Sequence, residues 1–194
     1  MGLPGRDRRV QSRAAFYSSR LLSQAGQTLF LVTLFLVTGA GHSAMGLSAA
    51  FVSMTAAAIL FGLPAGAFAD WMGARRAFVV GAALRALAVA SGALVLGDPQ
   101  WVWAVVFLYS AVSQLFSPAE MALVGVVQQG RPGVAHTALV VLQYAGQALS
   151  ALALAPLLHL AGGLPLMLGA ATALQVGAML LAAVCAVETR HAGA

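Results

Sequence analysis

Three ionisable residues, Arg20, Arg85 and Glu120, stand inside or at the ends of long apolar runs. A charge held at the centre of a bilayer costs about 2.5 to 3.5 kcal/mol on insertion scales, so such residues need partners. Glu120 is the only acid on its side of the runs besides Asp70. It is predicted to pair with Arg20, with Arg85, or with the adjacent Arg75 and Arg76. The chemistry open to such a group is the making and breaking of ion pairs. Arg20, at a run's edge, has a second option, which is to snorkel to the interface. Proton coupling would need a carboxylate of raised pKa in a transport path, and no acid stands at the middle of any run.

Neutral polar residues recur at helical spacing within the same runs. Gln24, Gln27 and Thr28 form one stripe, and Ser110, Ser113, Gln114 and Ser117 another; Gln143, Gln147 and Ser150 follow, then Thr172 and Gln175. Positions facing lipid have no use for amides and hydroxyls, so these stripes should face the interior of a bundle. They would at least join helices, at about 0.6 to 2 kcal/mol per hydrogen bond.

Enzyme chemistry finds little support. His42 and His159 have no Gly-x-Ser-x-Gly sequence beside them, no His-Glu-x-x-His occurs, and Cys185 is the single cysteine. No catalytic residue, cofactor or metal is therefore expected.

The elements that carry these residues follow from composition. Hydrophobic residues make up 61% of the 194, charged residues 8%, and the mean hydropathy is +0.91. These values exclude an ordinary soluble domain. The formal net charge of +5 comes from arginines scattered at the ends of apolar runs, without a basic face, so nucleic acid is not an expected partner.

Residues 21–69 contain no Asp, Glu, Lys or Arg, about twice the roughly 20 residues that cross a bilayer. They must make two spans, divided at Gly39-Ala40-Gly41-His42-Ser43. Further breaks at Gly97-Asp98-Pro99, at Gln128-Gln129-Gly130-Arg131 and at Gly162-Gly163 give six spans, near 17–38, 44–69, 76–96, 101–127, 135–160 and 164–187. The fold class is all-α, an integral membrane six-helix bundle over 16–187, with tails 1–15 and 188–194. The run from Phe16 is too long for a secretory signal core. Arg75, Arg76 and Arg131, with the arginines of both ends, fall on one side of this topology. That predicts cytoplasmic termini, with Trp101 and Trp103 at the outer interface. Pro64 predicts a kink in the second span. Gly62 with Gly66, and Gly169, Ala173 and Gly177, predict close helix approach.

Between the second and third spans lies Gly66-Ala67-Phe68-Ala69-Asp70-Trp71-Met72-Gly73-Ala74-Arg75-Arg76. Asp70 is expected to end one helix and Gly73 to permit the reversal, since glycine alone reaches positive φ cheaply. The pattern Gly-x-x-x-Asp-x-x-Gly-x-Arg-Arg resembles the signature loop between the second and third helices of the major facilitator superfamily, departing from it at Trp71 and Ala74, where basic residues are common. Ser117-Pro118-Ala119 resembles the multidrug and macrolide exporter branch.

The resemblance implies the N-terminal half of an alternating-access transporter, two inverted three-helix repeats in a cell (inner or plasma) membrane, moving a small molecule, as an exporter. It implies that Gly66, Asp70, Gly73, Arg75 and Arg76 form a conformational gating loop and that Arg20, Arg85 and Glu120 form its charge network. Gln24, Gln27, Thr28, Ser113 and Gln114 become candidates for the substrate cavity near the bilayer midplane. Besides lipid and substrate, the implied partner is a second six-helix half, since a full transporter of this family has about twelve spans; the chain would be a truncated product, a split half, or a half that dimerises. The alternative is a membrane interaction or scaffold protein that keeps the fold without transporting.

Overall fold

The computed structural model describes residues 4–39, 44–128, 132–160 and 163–191, with side chains over 13–37, 48–124, 133–134, 136–160 and 163–185. All regular structure among them is helical. Five helices are long and apolar enough to cross a membrane, and a sixth candidate arises if one bent pair counts as a single span. The expected breaks at 40–43, at 129–131 and at Gly162 lie outside the described residues, as do the side chains of Arg6, Arg8, Arg9 and Arg190.

Helix α1 (Pro4–Gly39) runs 36 residues. Its stretch of membrane-grade hydropathy is Arg13–Val37, so the expected tail over 1–15 is in fact helical from Pro4 and continuous with the first span.

The second span is not one helix. α2 (Ala44–Gly62) and α3 (Ala65–Met72) meet at a bend of 56°. Proline has no N–H to give to the preceding turn and its ring crowds that turn's carbonyl, which places the break at Leu63-Pro64. α3 runs two residues beyond Asp70. The chain then reverses at Gly73, whose φ of +81° lies in the region that favours glycine. Gly73 N–H donates to the Ala69 carbonyl at 2.9 Å, and its own carbonyl accepts from Ala77 N–H at 3.0 Å, so one residue closes α3 and opens α4 (Ala74–Ala90).

The third span also breaks, at Ser91-Gly92, before the short α5 (Ala93–Gly97). A Cβ on Gly92 would sit 2.9 Å from both Phe30 and Leu168. A 3-10 turn over Pro99–Trp101, capped by the Asp98 carboxylate, leads into α6 (Val102–Gln128), followed by α7 (Pro132–His159) and α8 (Gly163–His191).

In the packed bundle, α1 lies along α8 and α7, α6 lies along α2 and α4, and α4 joins the two groups through α8. The backbones of α1 and α6 stay apart over most of their length and meet through side chains such as Phe30 and Tyr109. The main apolar core gathers Phe30, Leu34, Val89, Val106 and Met167, and a second cluster holds Phe16, Phe78 and Cys185.

Close helix approach occurs at one of the glycines expected, Gly177, and not at the others. Gly62, Gly66 and Gly169 have nothing within 4 Å of a Cβ placed on them, whereas a Cβ on Gly177 would press on Leu22 of α1 at 3.3 Å. Tighter seams lie at Gly81, where a Cβ would stand 2.6 Å from the Phe116 ring, and at Gly146, 2.7 Å from Gln24 Cβ and 3.0 Å from the Ala25 amide. The small-residue motif identifies helices that can pack closely; which face does so depends on the neighbour.

Candidate functional site

Glu120 accepts from both arginines that the sequence singles out. Its Oε2 takes Arg20 Nη1 and its Oε1 takes Arg85 Nη1, which ties α1, α4 and α6 together at one level. Arg85 and Glu120 are each 7% exposed. Two guanidinium groups on one carboxylate leave the cluster with one positive charge in excess. Arg85 Nη2 spends a further hydrogen on the Ser113 carbonyl at 3.3 Å. Arg75 and Arg76 are not partners of Glu120; with Asp70 they lie at the surface turn, Asp70 and Arg76 exposed and Arg75 half-buried.

α1 and α6 meet at this cluster and again where Phe30 packs on Tyr109, ring centroids 5.1 Å apart, and a cleft opens between α1, α2 and α6. Its volume is about 290 Å³, and its lining is Gln27 and Leu31 from α1, Phe51, Met54, Thr55 and Ala58 from α2, and Tyr109, Ser110, Ser113 and Gln114 from α6. Gln27 lies seven residues after Arg20 and Ser113 seven before Glu120. The two helices are therefore antiparallel here, and the cleft sits two turns, about 10 Å, from the charge cluster.

The cavity candidates divide. Gln27, Ser113 and Gln114 line the cleft. Gln24 instead packs on Gly146 of α7, and Thr28 donates to the Gln24 carbonyl of its own helix at 3.0 Å; neither is part of the lining. The remaining stripes mostly join helices. Ser150 donates to the Ala25 carbonyl at 2.8 Å, Ser19 to that of Ala178 at 2.8 Å, and Gln175 Nε2 to that of Ser23 at 3.1 Å. Gln143 and Gln147 face outward on α7, which buries little of its surface.

Sequence reasoning passed over two lining residues, Tyr109 and Thr55. Tyr109 had a usable signal, since it stands one turn before Ser113 on the same polar stripe. Thr55 had none, being one of three hydroxyls that form no stripe on an apolar helix, where its Oγ1 donates to the Phe51 carbonyl at 3.0 Å.

Three buried side-chain polar atoms among the described residues have no hydrogen-bond partner: Arg85 Nε, Tyr109 OH and Ser113 Oγ. Such atoms are uncommon in folded proteins and ask for a reason. Two of the three residues line the cleft, and the third donates to the carbonyl of one of them. The arrangement is suited to binding and to the breaking of ion pairs. No group of three or more His, Cys, Asp or Glu that would hold a metal occurs among the described residues.

No family model matches the chain, and no curated protein or solved structure matches it either.

Proposed function

We propose that the chain is one six-helix half of an alternating-access transporter for small molecules, of the major facilitator kind and working as an exporter. The observation that carries this reading is the polar cleft between α1 and α6, bordered two turns away by a buried three-residue charge cluster. A lipid-facing surface has no use for such a lining. An interior site reached by rocking one bundle against another does.

In this account α1, α2–α3 and α4–α5 form one three-helix unit and α6, α7 and α8 the other. The arginine distribution puts both ends and the Gly73 turn on the cytoplasmic side of a cell membrane. The Arg20–Glu120–Arg85 cluster holds α1, α4 and α6 in one conformation and opens in the other, while the loop from Gly66 to Arg76 meets the second bundle. The outward amides Gln143 and Gln147 on α7 meet that bundle too, since amides in hydrocarbon would go unsatisfied.

The test is retention of a panel of fluorescent amphipathic dyes in efflux-deficient cells expressing the native protein, compared with Asp70→Asn and Arg75→Ala at equal membrane levels. Lowered retention of at least one dye, reversed by the two variants, is expected. Retention equal to that of cells lacking the protein, for every dye, would leave the fold as a binding scaffold.

A further inference from the structure

We infer that the cleft takes an uncharged amphipathic molecule presenting a hydrogen-bonding oxygen to Tyr109 and Ser113, and that the excess positive charge of the Arg20–Glu120–Arg85 cluster turns cations away. The inference rests on the transport reading only in treating the cleft as the ligand site.

The lining is of two kinds. Leu31, Phe51, Met54 and Ala58 offer an apolar wall, and the rest of the lining consists of amides and hydroxyls with no charged side chain. A volume of about 290 Å³ lies at the lower edge of the roughly 300 to 1,000 Å³ of small-molecule sites, so the occupant is small and has one greasy face and one polar face.

The polar groups are not equally available. Thr55 is satisfied by its own helix, whereas the Tyr109 hydroxyl, on a residue 2% exposed, and Ser113 Oγ are buried beside each other with no well-formed hydrogen bond to the protein. Hydroxyls so placed are a standing demand for an oxygen or nitrogen on whatever enters, because a buried polar group left unmatched is costly and a matched one is not.

Charge decides among the molecules that could meet that demand. Arg85 donates to the Ser113 carbonyl, so the cluster's net positive charge reaches the wall of the cleft in a medium of low dielectric. A cation would be repelled, with no acid in the lining to offset it. An anion would be attracted but would find no cationic side chain in the lining, because Arg20 and Arg85 stand outside it and each already pairs with Glu120. An uncharged ligand meets the hydroxyls and incurs neither the repulsion nor the desolvation of an unpaired charge.

The experiment uses the native protein in lipid nanodiscs and three probes on one fluorescent skeleton. These are 7-methoxycoumarin carrying at position 4 a methyl, a carboxymethyl or a trimethylammoniomethyl group. Saturable binding of the uncharged probe, at least tenfold tighter than that of the cation and tighter than that of the anion, is expected. Tyr109→Phe and Ser113→Ala should each weaken it fivefold or more. Tyr109→Phe should do so with little change in melting temperature, since it deletes a hydroxyl that makes no well-formed hydrogen bond in the fold. Arg20→Gln, which brings the cluster to net zero and leaves Glu120 paired with Arg85, should erode the discrimination against the cation. Equal affinity for the cation, preference for the anion, absence of saturable binding of the uncharged probe, or binding indifferent to Tyr109→Phe would each overturn the inference. Binding is read on purified protein and flux in cells, so the two fail separately. Variant-sensitive binding of the uncharged probe without flux removes transport alone. Flux without this charge order removes the present inference alone.

Discussion

Arg85 on α4 and Glu120 on α6 are joined in a buried ion pair, and the same guanidinium reaches the Ser113 carbonyl at 3.3 Å. The pair thus does two things at once. It fastens α4 to α6, and it reaches the backbone of a residue that lines the cleft. Arg20 adds α1 to the same carboxylate, so the helices on either side of the cleft are linked through one side chain.

Glu120→Gln should therefore be severe. It leaves two buried arginines facing one another, and breaking a buried pair by removing one member costs about 3 to 5 kcal/mol. Thermal unfolding in mild detergent would show it as a large fall in melting temperature. Glu120→Asp, which keeps the charge on a shorter stem, should recover part of the loss. An unchanged melting temperature in Glu120→Gln would mean that the cluster holds nothing together.

The helix seams give a paired prediction. Gly81→Ala drives a methyl into the Phe116 ring, and overpacking of this kind costs about 1 to 3 kcal/mol. Gly62→Ala meets open space and should stay within about 0.5 kcal/mol of the parent. Equal effects at the two glycines would contradict the packing described for α4 on α6.

At the surface turn, Gly73→Ala forces a side chain onto a backbone at φ +81° and ψ 133°. Residues held in such regions cost of order 1 to 3 kcal/mol each. The change should also lower flux in the dye assay, because the same residue closes α3 and opens α4. Full stability in Gly73→Ala would show that the turn can be built another way.

Ser150→Ala removes the bond from α7 to the Ala25 carbonyl. Hydrogen bonds between membrane helices average about 0.6 kcal/mol with a maximum near 1.7, so a small loss in an unfolding titration is expected, well below that of Glu120→Gln. A loss as large as that of Glu120→Gln would place α7 among the essential supports of α1.

Much of this architecture is legible in the sequence for physical reasons. Long runs without charge define the candidate spans, Pro64 breaks the second because it lacks an N–H, and Gly73 turns the chain because it lacks a Cβ. Glu120 needs a cation, and few are within reach. Facing is harder to read. Gln24 and Gln27 are about 60° apart around a helix, close enough to share a stripe and far enough to meet different neighbours, so one packs on Gly146 and the other lines the cleft. The break at Ser91-Gly92 is hidden in an unbroken apolar run, and the close approach of Phe30 and Leu168 to Gly92 comes from other helices. Gly62 and Gly66 carry a close-packing pattern on a face that no described helix covers.

The measurement that bears most directly on the account is the mass of the native assembly after crosslinking in the membrane and extraction in mild detergent. A transporter built from halves requires two six-helix bundles in one particle, and an assembly of that size, whether from a second copy or from another six-helix chain, is the predicted result. A lone six-helix unit that persists across detergents and protein concentrations would contradict it, and would recast the cleft as a binding surface.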